Sequence, residues 1–444
     1  PGPLSLNTGK NLASVYRTPL LGVDIKTVLT NTTLMGAYRG AGRPEANYYM
    51  ERLIDRAADE MGINRLTLRK RNFIRPAQLP FPAASGVTYD SGDFQGVFAK
   101  ALELSDHVNF AKRKKESKKQ GKLRGIAVGS YLEVTAPPSG ELGKINFQPD
   151  GSVKLTTGTL DYGQGHATPF AQVLSAQLGV PFEKVTLEQN DSDLVRFGNG
   201  TGGSRSITAT GQAIVEASAL VVAKGKQAAA HLMEAAEGDI EFANGHFTIA
   251  GTDRSIGIME LAQRLREGKV PEGVPETLDV DHATKETPST FPNGCHVAEV
   301  EIDPDTGVIQ IVRYTGISDF GTIVNPMIVD GQLHGGVAQG IGQALMEEVS
   351  YDESGQPITG SFMDYAMPRA GDIPLMATGD HPSPAKSNPL GTKGCGEAGC
   401  AGSLVCIVNA TIDALSEYGI TQIDMPLTPE RVWRAIRDAK AKAA

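Results

Sequence analysis

Four glycine-rich loops constrain this sequence more than any other feature. They lie at residues 36–43, 161–166, 198–206 and 391–399, and each runs directly into a segment with helical spacing. Because glycine has no β-carbon, backbone N–H groups at such helix starts can approach an anion closely. Each loop by itself is more typical of a tight turn than of an anion site. Four of them in one chain favour a large anionic cofactor.

Composition and charge exclude several classes of protein. The chain has 42 Lys and Arg against 51 Asp and Glu, a net charge of −9, so its net charge does not favour nucleic acid or anionic lipid. Since no run of 18 apolar residues occurs, we expect no membrane-spanning segment. The four cysteines are too few for a disulfide scaffold and match no zinc spacing. They predict free thiols in a reducing, cytoplasmic compartment.

The pattern along the chain predicts an α+β fold with a boundary in the basic stretch at 112–122. Residues 1–111 contain a strong amphipathic helix over 44–61, with Pro44 at its start and Gly62 at its end. The basic stretch is interpreted as a solvated linker, although it could also contact phosphate.

Residues 123–444 mix hairpins with helices. Hairpins are predicted at 144–148 with 153–157 and at 296–302 with 308–314, and helices at 168–178, 206–236, 256–266, 331–347 and 401–417. Hairpins among long helices indicate α+β architecture rather than a regular succession of βαβ units.

Several common catalytic motifs are absent from the sequence. It contains no Walker-type phosphate loop, no Rossmann glycine fingerprint between a strand and a helix, no His-Glu-x-x-His and no Gly-x-Ser-x-Gly. P-loop nucleotide hydrolysis, dinucleotide-dependent hydride transfer, zinc proteolysis and serine hydrolysis are therefore unsupported.

Glu397 is the strongest catalytic candidate among single residues. It is one carboxylate inside a glycine-rich loop, followed by an apolar helix. Beside a buried cofactor, such a carboxylate can act as a general base. It could instead only compensate the positive end of the helix dipole. His166, in Gly-Gln-Gly-His, is more typical of a histidine that stabilises its own turn than of a ligand.

Six stretches, in order along the chain, resemble the large, molybdenum-binding subunit of the xanthine dehydrogenase, aldehyde oxidase and aerobic carbon monoxide dehydrogenase family. They are Ala-Tyr-Arg-Gly-Ala-Gly-Arg-Pro-Glu-Ala at 37–46, the stretch 50–74 ending Leu-Arg-Lys-Arg-Asn-Phe-Ile, Gly-Gln-Gly-His-Ala-Thr at 163–168, Thr-Gly-Gly-Ser-Arg-Ser at 201–206, Asp-Phe-Gly-Thr-Ile-Val-Asn-Pro at 319–326 with the glycine-rich 331–342, and Gly-Cys-Gly-Glu at 394–397. Together they extend over most of the sequence.

The resemblance implies the molybdenum-cofactor-binding fold, with mixed sheets and flanking helices. Residues 1–111 would be the C-terminal part of a first cofactor-binding domain and 123–444 a second one. The implied cofactor is molybdenum-molybdopterin, often as the cytosine dinucleotide, whose dithiolene holds the metal, so no protein side chain is a direct metal ligand. The implied cofactor-binding residues are Ala37, Tyr38, Arg39, Gly40, Gly163, Gln164, Gly165, His166, Gly203, Ser204, Arg205, Ser206, Gln339, Gly394 and Gly396.

The resemblance also implies an activity and partners. Glu397 would be the base, and an aldehyde or an N-heterocycle would be oxidised with oxygen derived from water. In such an enzyme the cofactor carries the hard chemistry, and the protein orients it and shields it. Electrons would leave through [2Fe-2S] clusters on a small subunit and FAD on a medium subunit, which implies a hetero-oligomer.

Two departures from the family pattern open alternatives. Members that oxidise carbon monoxide carry a copper-binding cysteine where this chain has Gly40, and none of the four cysteines lies near it in sequence. Carbon monoxide oxidation is therefore disfavoured. In addition, the sequence is expected to begin partway through the first domain, so a non-catalytic structural fragment is a further hypothesis.

Overall fold

The computed structural model describes residues 3–268 and 270–443. Its helices are α1 (Pro3–Asn11), α2 (Arg43–Met61), α3 (Arg65–Asn72), α4 (Phe94–Leu104), α5 (Phe110–Lys119), α6 (Ala167–Leu178), α7 (Ser206–Leu232), α8 (Ile258–Glu267), α9 (Pro326–Leu345), α10 (Ala398–Leu415) and α11 (Pro429–Ala443). Its strands are β1 (Phe81–Pro82), β2 (Thr88–Tyr89), β3 (Leu123–Leu132), β4 (Leu142–Phe147), β5 (Val153–Thr157), β6 (Val185–Glu188), β7 (Ile240–Ala243), β8 (His246–Ile249), β9 (Ser255–Gly257), β10 (Val280–Ala283), β11 (Asn293–Ile302), β12 (Ile309–Asp319) and β13 (Met376–Asp380).

Two mixed four-stranded sheets organise the fold. One has the order β13-β12-β11-β3, in which Val297 of β11 lies opposite Thr315 of β12 and Val128 of β3. The other has the order β10-β4-β5-β6. In each sheet one edge strand runs parallel to its neighbour and the other pairs are antiparallel. The predicted α+β class and both predicted hairpins are confirmed.

The first core forms where α10 packs on β3 and β11, with α2 and α9 beside it. Nearly every residue of α10 is buried. The close approach depends on Gly125 of β3, because a β-carbon there would lie 2.0 Å from the carbonyl oxygen of Ala410. This packing fixes the start of α10, and therefore Glu397, against the sheet.

The second core lies between the sheet containing β4 and β5 and the helices α6 and α7. Leu155 of β5, Phe170 of α6 and Ile214 of α7 are all fully or almost fully buried in it. A glycine again brings helix and sheet together, since a β-carbon on Gly143 would lie 2.6 Å from the carbonyl oxygen of Ala213. The two glycine-rich loops that precede α6 and α7 are thereby held at one end of this layer.

The predicted relation between glycine loops and helices is confirmed at all four places. The loops end where α2, α6, α7 and α10 begin. The helix predicted over 331–347 begins five residues earlier, at Pro326, because the Asn325 side chain caps it by accepting from the N–H of Ile328 at 3.0 Å. The helix predicted to reach 236 ends at Leu232.

The basic stretch at 112–122 is largely helical and contacts the first sheet. Arg113 of α5 lies 2.5 Å from a carboxylate oxygen of Glu299 on β11, and Lys122 lies 2.6 Å from Asp303. Part of its charge is therefore paired with acidic groups of β11 and the turn after it. The division of the chain into 1–111 and 123–444 stays a prediction.

Two helices are long and apolar enough to cross a membrane by length and composition. In Ser206–Leu232 the most apolar window is 50% buried, and in Ala398–Tyr418 it is 94% buried. The search for an uninterrupted apolar run missed both, because polar residues and a few charged ones, such as Glu216 and Asp413, interrupt them. Both helices contribute buried side chains to the two hydrophobic cores.

Candidate functional site

A cavity of about 490 Å³ lies where the four glycine-rich loops meet. The loop before α2 contributes Arg39, and the other three loops contribute residues on both sides of it. The stretch from Phe320 to Asn325 and the first turns of α9 close the remaining wall. Segments that are more than 350 positions apart in sequence therefore share one site.

Ten of the sequence-predicted site residues line this cavity. They are Arg39, Gly163, Gln164, His166, Gly203, Ser204, Ser206, Gly394, Gly396 and Glu397. The remaining predicted residues, which do not line it, are Ala37, Tyr38, Gly40, Gly165, Arg205 and Gln339. Several of these still contact the lining, as Gln339 does through its side-chain oxygen, which accepts from Arg39 at 3.1 Å.

Glu397 is held in the cavity wall by donors from two other loops. Its carboxylate accepts from the N–H of Gly40 at 2.9 Å and from the hydroxyl of Ser204 at 3.3 Å, and Arg43 Nη1 lies 3.1 Å away. The side chain is 14% exposed. Although Glu397 directly precedes α10, its side chain does not cap that helix. The carboxylate is thus directed to the other loops, which goes beyond compensation of the helix dipole.

Arg39 connects three elements at the same wall. Its guanidinium donates to the carbonyl of Gly396 at 2.5 Å, and to the side-chain oxygens of Gln339 at 3.1 Å and Gln332 at 2.9 Å on α9. Since all these partners are protein groups, Arg39 positions the Glu397 loop against α9.

The loop at 161–166 is organised by Asp161, which the sequence analysis did not single out. The carboxylate of Asp161 accepts from the N–H groups of Gly163 at 2.8 Å, Gly165 at 3.2 Å and His166 at 2.7 Å. Burial opposes ionisation, but these three donors lower the pKa of Asp161 overall. The N–H groups proposed to cradle an anion are therefore bound to a carboxylate of the chain itself. An Asp two residues before Gly is a known turn signal that could have indicated this.

Gln164 and His166 also make contacts within their own region. The amide nitrogen of Gln164 donates to the carbonyl of Leu160 at 2.8 Å. The ring of His166 lies 4.7 Å from the ring of Phe170, and burial lowers the pKa of His166, which favours a neutral imidazole. His166 is thus a turn histidine whose ring also lines the cavity.

The loop at 198–206 presents Ser204 and Ser206 to the cavity but turns Arg205 away from it. Arg205 donates to the hydroxyl of Ser139 at 2.6 Å and to the carbonyl of Gly200 at 3.0 Å. Its guanidinium therefore stabilises the loop from behind. A role in contacting phosphate stays a prediction for this residue.

A buried ion pair, which sequence reasoning missed, anchors the loop at 391–399. Lys393 Nζ lies 2.7 Å from Asp319 Oδ2, and both side chains are 0% exposed. The same carboxylate group accepts from the N–H groups of Gly321 at 3.0 Å and Ser383 at 2.9 Å. The partners are 74 positions apart, so only the tertiary fold reveals the pair.

Glu133 is a second residue that sequence reasoning missed. It follows β3, is 0% exposed, and its oxygen Oε1 lies 3.6 Å from Arg43 Nε. Burial raises the pKa of Glu133 to about 8, an effect that Arg43 opposes and the charge of Glu397 reinforces. Nothing in the local sequence distinguishes this glutamate from one at a solvated strand end.

Of the four cysteines, Cys395 lines the cavity. None of the four cysteines lies near Gly40 along the chain, but the structure brings Cys395 into the cavity wall, two residues before Glu397. Burial raises the pKa of the Cys395 thiol to about 12. All four cysteines carry free thiols, as predicted. Over residues 3–268 and 270–443, no cluster of three or more His, Cys, Asp or Glu side chains is arranged to hold a metal ion.

Comparison with known proteins decides the family. Family models described as "Molybdopterin cofactor-binding domain" match residues 2–73 and 100–374, the latter alone more than half of the chain. The chain belongs to the molybdopterin cofactor-binding domain family. This confirms the predicted resemblance to the molybdenum-binding subunits. The loops that carry the resemblance are the ones that the structure brings to one cavity.

Similar proteins in this family are oxidoreductases by name. The chain is 32% identical over 439 residues to the carbon monoxide dehydrogenase large chain of Hydrogenophaga pseudoflava, covering 95% of this chain and 55% of that protein. It is also 32% identical to the nicotine 6-hydroxylase large subunit of Paenarthrobacter nicotinovorans, covering 95% and 53%. The solved quinoline 2-oxidoreductase of Pseudomonas putida 86 matches with a TM-score of 0.89 at 31% identity, covering 98% and 57%. The chain spans about half the length of the curated relatives it matches.

Proposed function

We propose that this chain is the molybdopterin-binding part of a molybdenum hydroxylase that oxidises an aldehyde or an N-heterocycle with oxygen derived from water. The observation that carries the proposal is the carboxylate of Glu397, which is fixed in the wall of a cavity built by four glycine-rich loops. Two of the relatives are named for N-heterocyclic compounds, nicotine and quinoline, which supports this substrate class.

The residues around the cavity fit a flat, polar cofactor. A β-carbon built on Gly163 or Gly202, which both line the cavity, would meet no protein atom within 4 Å, so both glycines leave open space that a bound group can use. Ser204 and Ser206 place hydroxyl groups at the same wall. We infer that these residues, with Gly394 and Gly396, hold molybdopterin, and the cytosine dinucleotide form is our more specific proposal.

The reaction assigned to the chain's own residues is proton transfer at Glu397. When bound, the molybdenum cofactor supplies the two-electron acceptor that the oxidation needs. The carboxylate of Glu397 takes a proton from the water-derived group that supplies the oxygen. The N–H of Gly40 and the guanidinium of Arg43 keep the carboxylate oxygens at fixed positions. General-base catalysis of this kind contributes about 10²- to 10⁴-fold to a rate. Phe170 and Phe320 add apolar surface to the lining of the same cavity.

The Glu397→Gln substitution tests this assignment, because glutamine keeps the size of the side chain but cannot accept the proton. We expect normal molybdenum content with turnover lowered by several orders of magnitude, measured with a panel of aldehydes and heterocycles. Glu353→Gln is the matched control, since Glu353 is exposed and does not line the cavity. Near-normal turnover in the Glu397→Gln protein would contradict the general-base role.

The electron acceptors belong to our proposal as well. Two relatives are named as a large chain and a large subunit, which supports assembly with other chains. We infer partners that carry FAD and [2Fe-2S] clusters, detectable by absorbance in the complex purified by a tag on this chain. A preparation without flavin and iron would contradict this part.

Carbon monoxide is a weaker candidate substrate, despite the name of one relative. At Gly40 the backbone has φ of +101°, and a β-carbon there would lie 2.5 Å from Pro44 Cδ, so this position is built for glycine. Copper content and oxidation of carbon monoxide distinguish this candidate. A non-catalytic structural role would be favoured only if the native complex held no molybdenum.

A further inference from the structure

Two carboxyl groups share one arginine at the base of the cavity. Arg43 is 2% exposed, and its Nη1 lies 3.1 Å from Glu397 Oε2 while its Nε lies 3.6 Å from Glu133 Oε1. Glu133 is fully buried, and within the part of the chain that the structure describes neither of its oxygens has a hydrogen-bond partner. The guanidinium also donates to backbone carbonyls of Val134 and Gly40. Arg43 is therefore held between the two carboxyl groups.

The charges around Glu133 do not balance if both carboxyl groups are ionised. Arg43 is the cation that acts on Glu133, and it also faces Glu397. The other two cations that line the cavity bind different groups, since Arg39 donates to Gly396 and Gln339, and Lys393 pairs with Asp319. The other titratable or polar groups that face Glu133 are the Tyr131 hydroxyl on β3, the Ser204 hydroxyl and the Cys395 thiol, and none of them supplies positive charge. A buried carboxylate without its own counter-charge is strongly disfavoured and takes up a proton instead.

We propose that Glu133 and Glu397 form a carboxyl pair around Arg43 that holds one proton at neutral pH, with the proton on Glu133. The exposure of the two groups explains which one is ionised, because Glu397 reaches the cavity and receives three donors while Glu133 is sealed behind it. Glu133 is thus a positioning residue that keeps Glu397 ionised. The proposal rests on the proposed function only for the role of Glu397 as base.

The carboxyl pair also has a route for returning to its resting state after Glu397 accepts a proton. Proton uptake by Glu397 raises the pair from one proton to two, and release of one proton to solvent through the cavity restores the resting state. No electrons move in this step.

Infrared spectroscopy of the full chain tests the proposal without any cofactor. Buried protonated carboxyl groups show a C=O stretch that carboxylates lack. The difference between the wild-type protein and the Glu133→Gln variant should contain this band at pH 7, and it should titrate near pH 8. In Glu397→Gln, where the neighbouring charge is gone, the midpoint of the remaining band should fall by about one pH unit or more. This second variant retains Glu133 and keeps the test valid if Glu133→Gln does not fold.

Glu141 provides the matched control, because it is buried and its pKa is also raised by burial, but it does not contact Arg43. Glu141→Gln should leave the band of Glu133 and its midpoint unchanged. Absence of the Glu133 band at pH 7, or a midpoint that Glu397→Gln does not move, would overturn the carboxyl pair. Loss of the proposed function is a separate outcome, since it is detected by molybdenum content and turnover rather than by this band.

Discussion

Replacing Lys393 by methionine should destabilise the fold strongly and displace the Glu397 loop. The ammonium of Lys393 lies 2.7 Å from Asp319, and both side chains are 0% exposed. Without it, Asp319 retains only neutral donors, among them the N–H groups of Gly321 and Ser383. A buried ion pair that loses one partner leaves an uncompensated charge, which costs about 3–5 kcal/mol of unfolding free energy.

Urea denaturation followed by circular dichroism measures this loss. The control is the double variant Lys393→Met with Asp319→Asn, which removes the stranded charge together with its partner. Because the two groups are in contact, their effects should not add, and the double variant should recover about 1–3 kcal/mol relative to Lys393→Met alone.

Two results would refute the reasoning. A cost below about 1 kcal/mol for Lys393→Met is what an exposed ion pair gives, and it would mean that water reaches Asp319. A double variant that is no more stable than Lys393→Met would show that the missing charge partner is not the cause of the loss.

Three further predictions concern the same site. Burial raises the pKa of Glu133 from its ordinary value of 4.5 to about 8, so between these values the native state holds a proton that the unfolded chain has released. The unfolding free energy should therefore fall as the pH rises through this range, by at most about 1.4 kcal/mol per pH unit. Glu133→Gln should flatten this slope in pH-dependent denaturation, and an unchanged slope would contradict the reasoning. Gly394→Ala should unfold at a lower urea concentration and turn over slowly, because its β-carbon would lie 1.5 Å from the carbonyl oxygen of Ser204. Gly202→Ala should keep its stability but bind less cofactor, because its β-carbon would enter open space. Equal stability of the two variants would refute the packing argument. Gly40→Cys should lower stability without conferring copper-dependent oxidation of carbon monoxide, and stoichiometric copper in an active, stable variant would disprove it.

The parts of the fold that depend on local sequence could be predicted. The loop before α10 contains four glycines in nine residues and is followed by apolar positions at helical spacing, so the loop and the helix were both recognised from residues 391–417. The hairpin of β11 and β12 was predicted because Asp303 and Gly307 mark its turn between two apolar runs. In these cases the physical cause lies within a few residues.

The parts of the site that depend on tertiary contacts could not be predicted. Glu133 acquires its character from Arg43 and Glu397, which lie 90 and 264 positions away in sequence. The contact of Cys395 with the cavity likewise follows from the packing of α10 on the sheet. Burial and charge compensation of this kind depend on the folded arrangement, so a single sequence does not reveal them.

The hydrogen bonds from the loop N–H groups to Asp161 have a local cause but were not predicted from the sequence. The cause is local, since the N–H groups of Gly163, Gly165 and His166 lie within five residues of the carboxylate. From the sequence these N–H groups were expected to cradle an external anion, whereas the chain's own carboxylate binds them. A glycine-rich loop indicates a concave group of backbone N–H donors that can bind an anion, but it does not indicate which anion binds there.

The central claim is that the four glycine-rich loops together bind a molybdenum cofactor. Mass spectrometry of the metal content tests it most directly, on the protein purified with its native partners. The account predicts close to one molybdenum per copy of this chain, and less molybdenum in Gly202→Ala while the fold is retained. A folded, complete complex that contains no molybdenum would contradict the account.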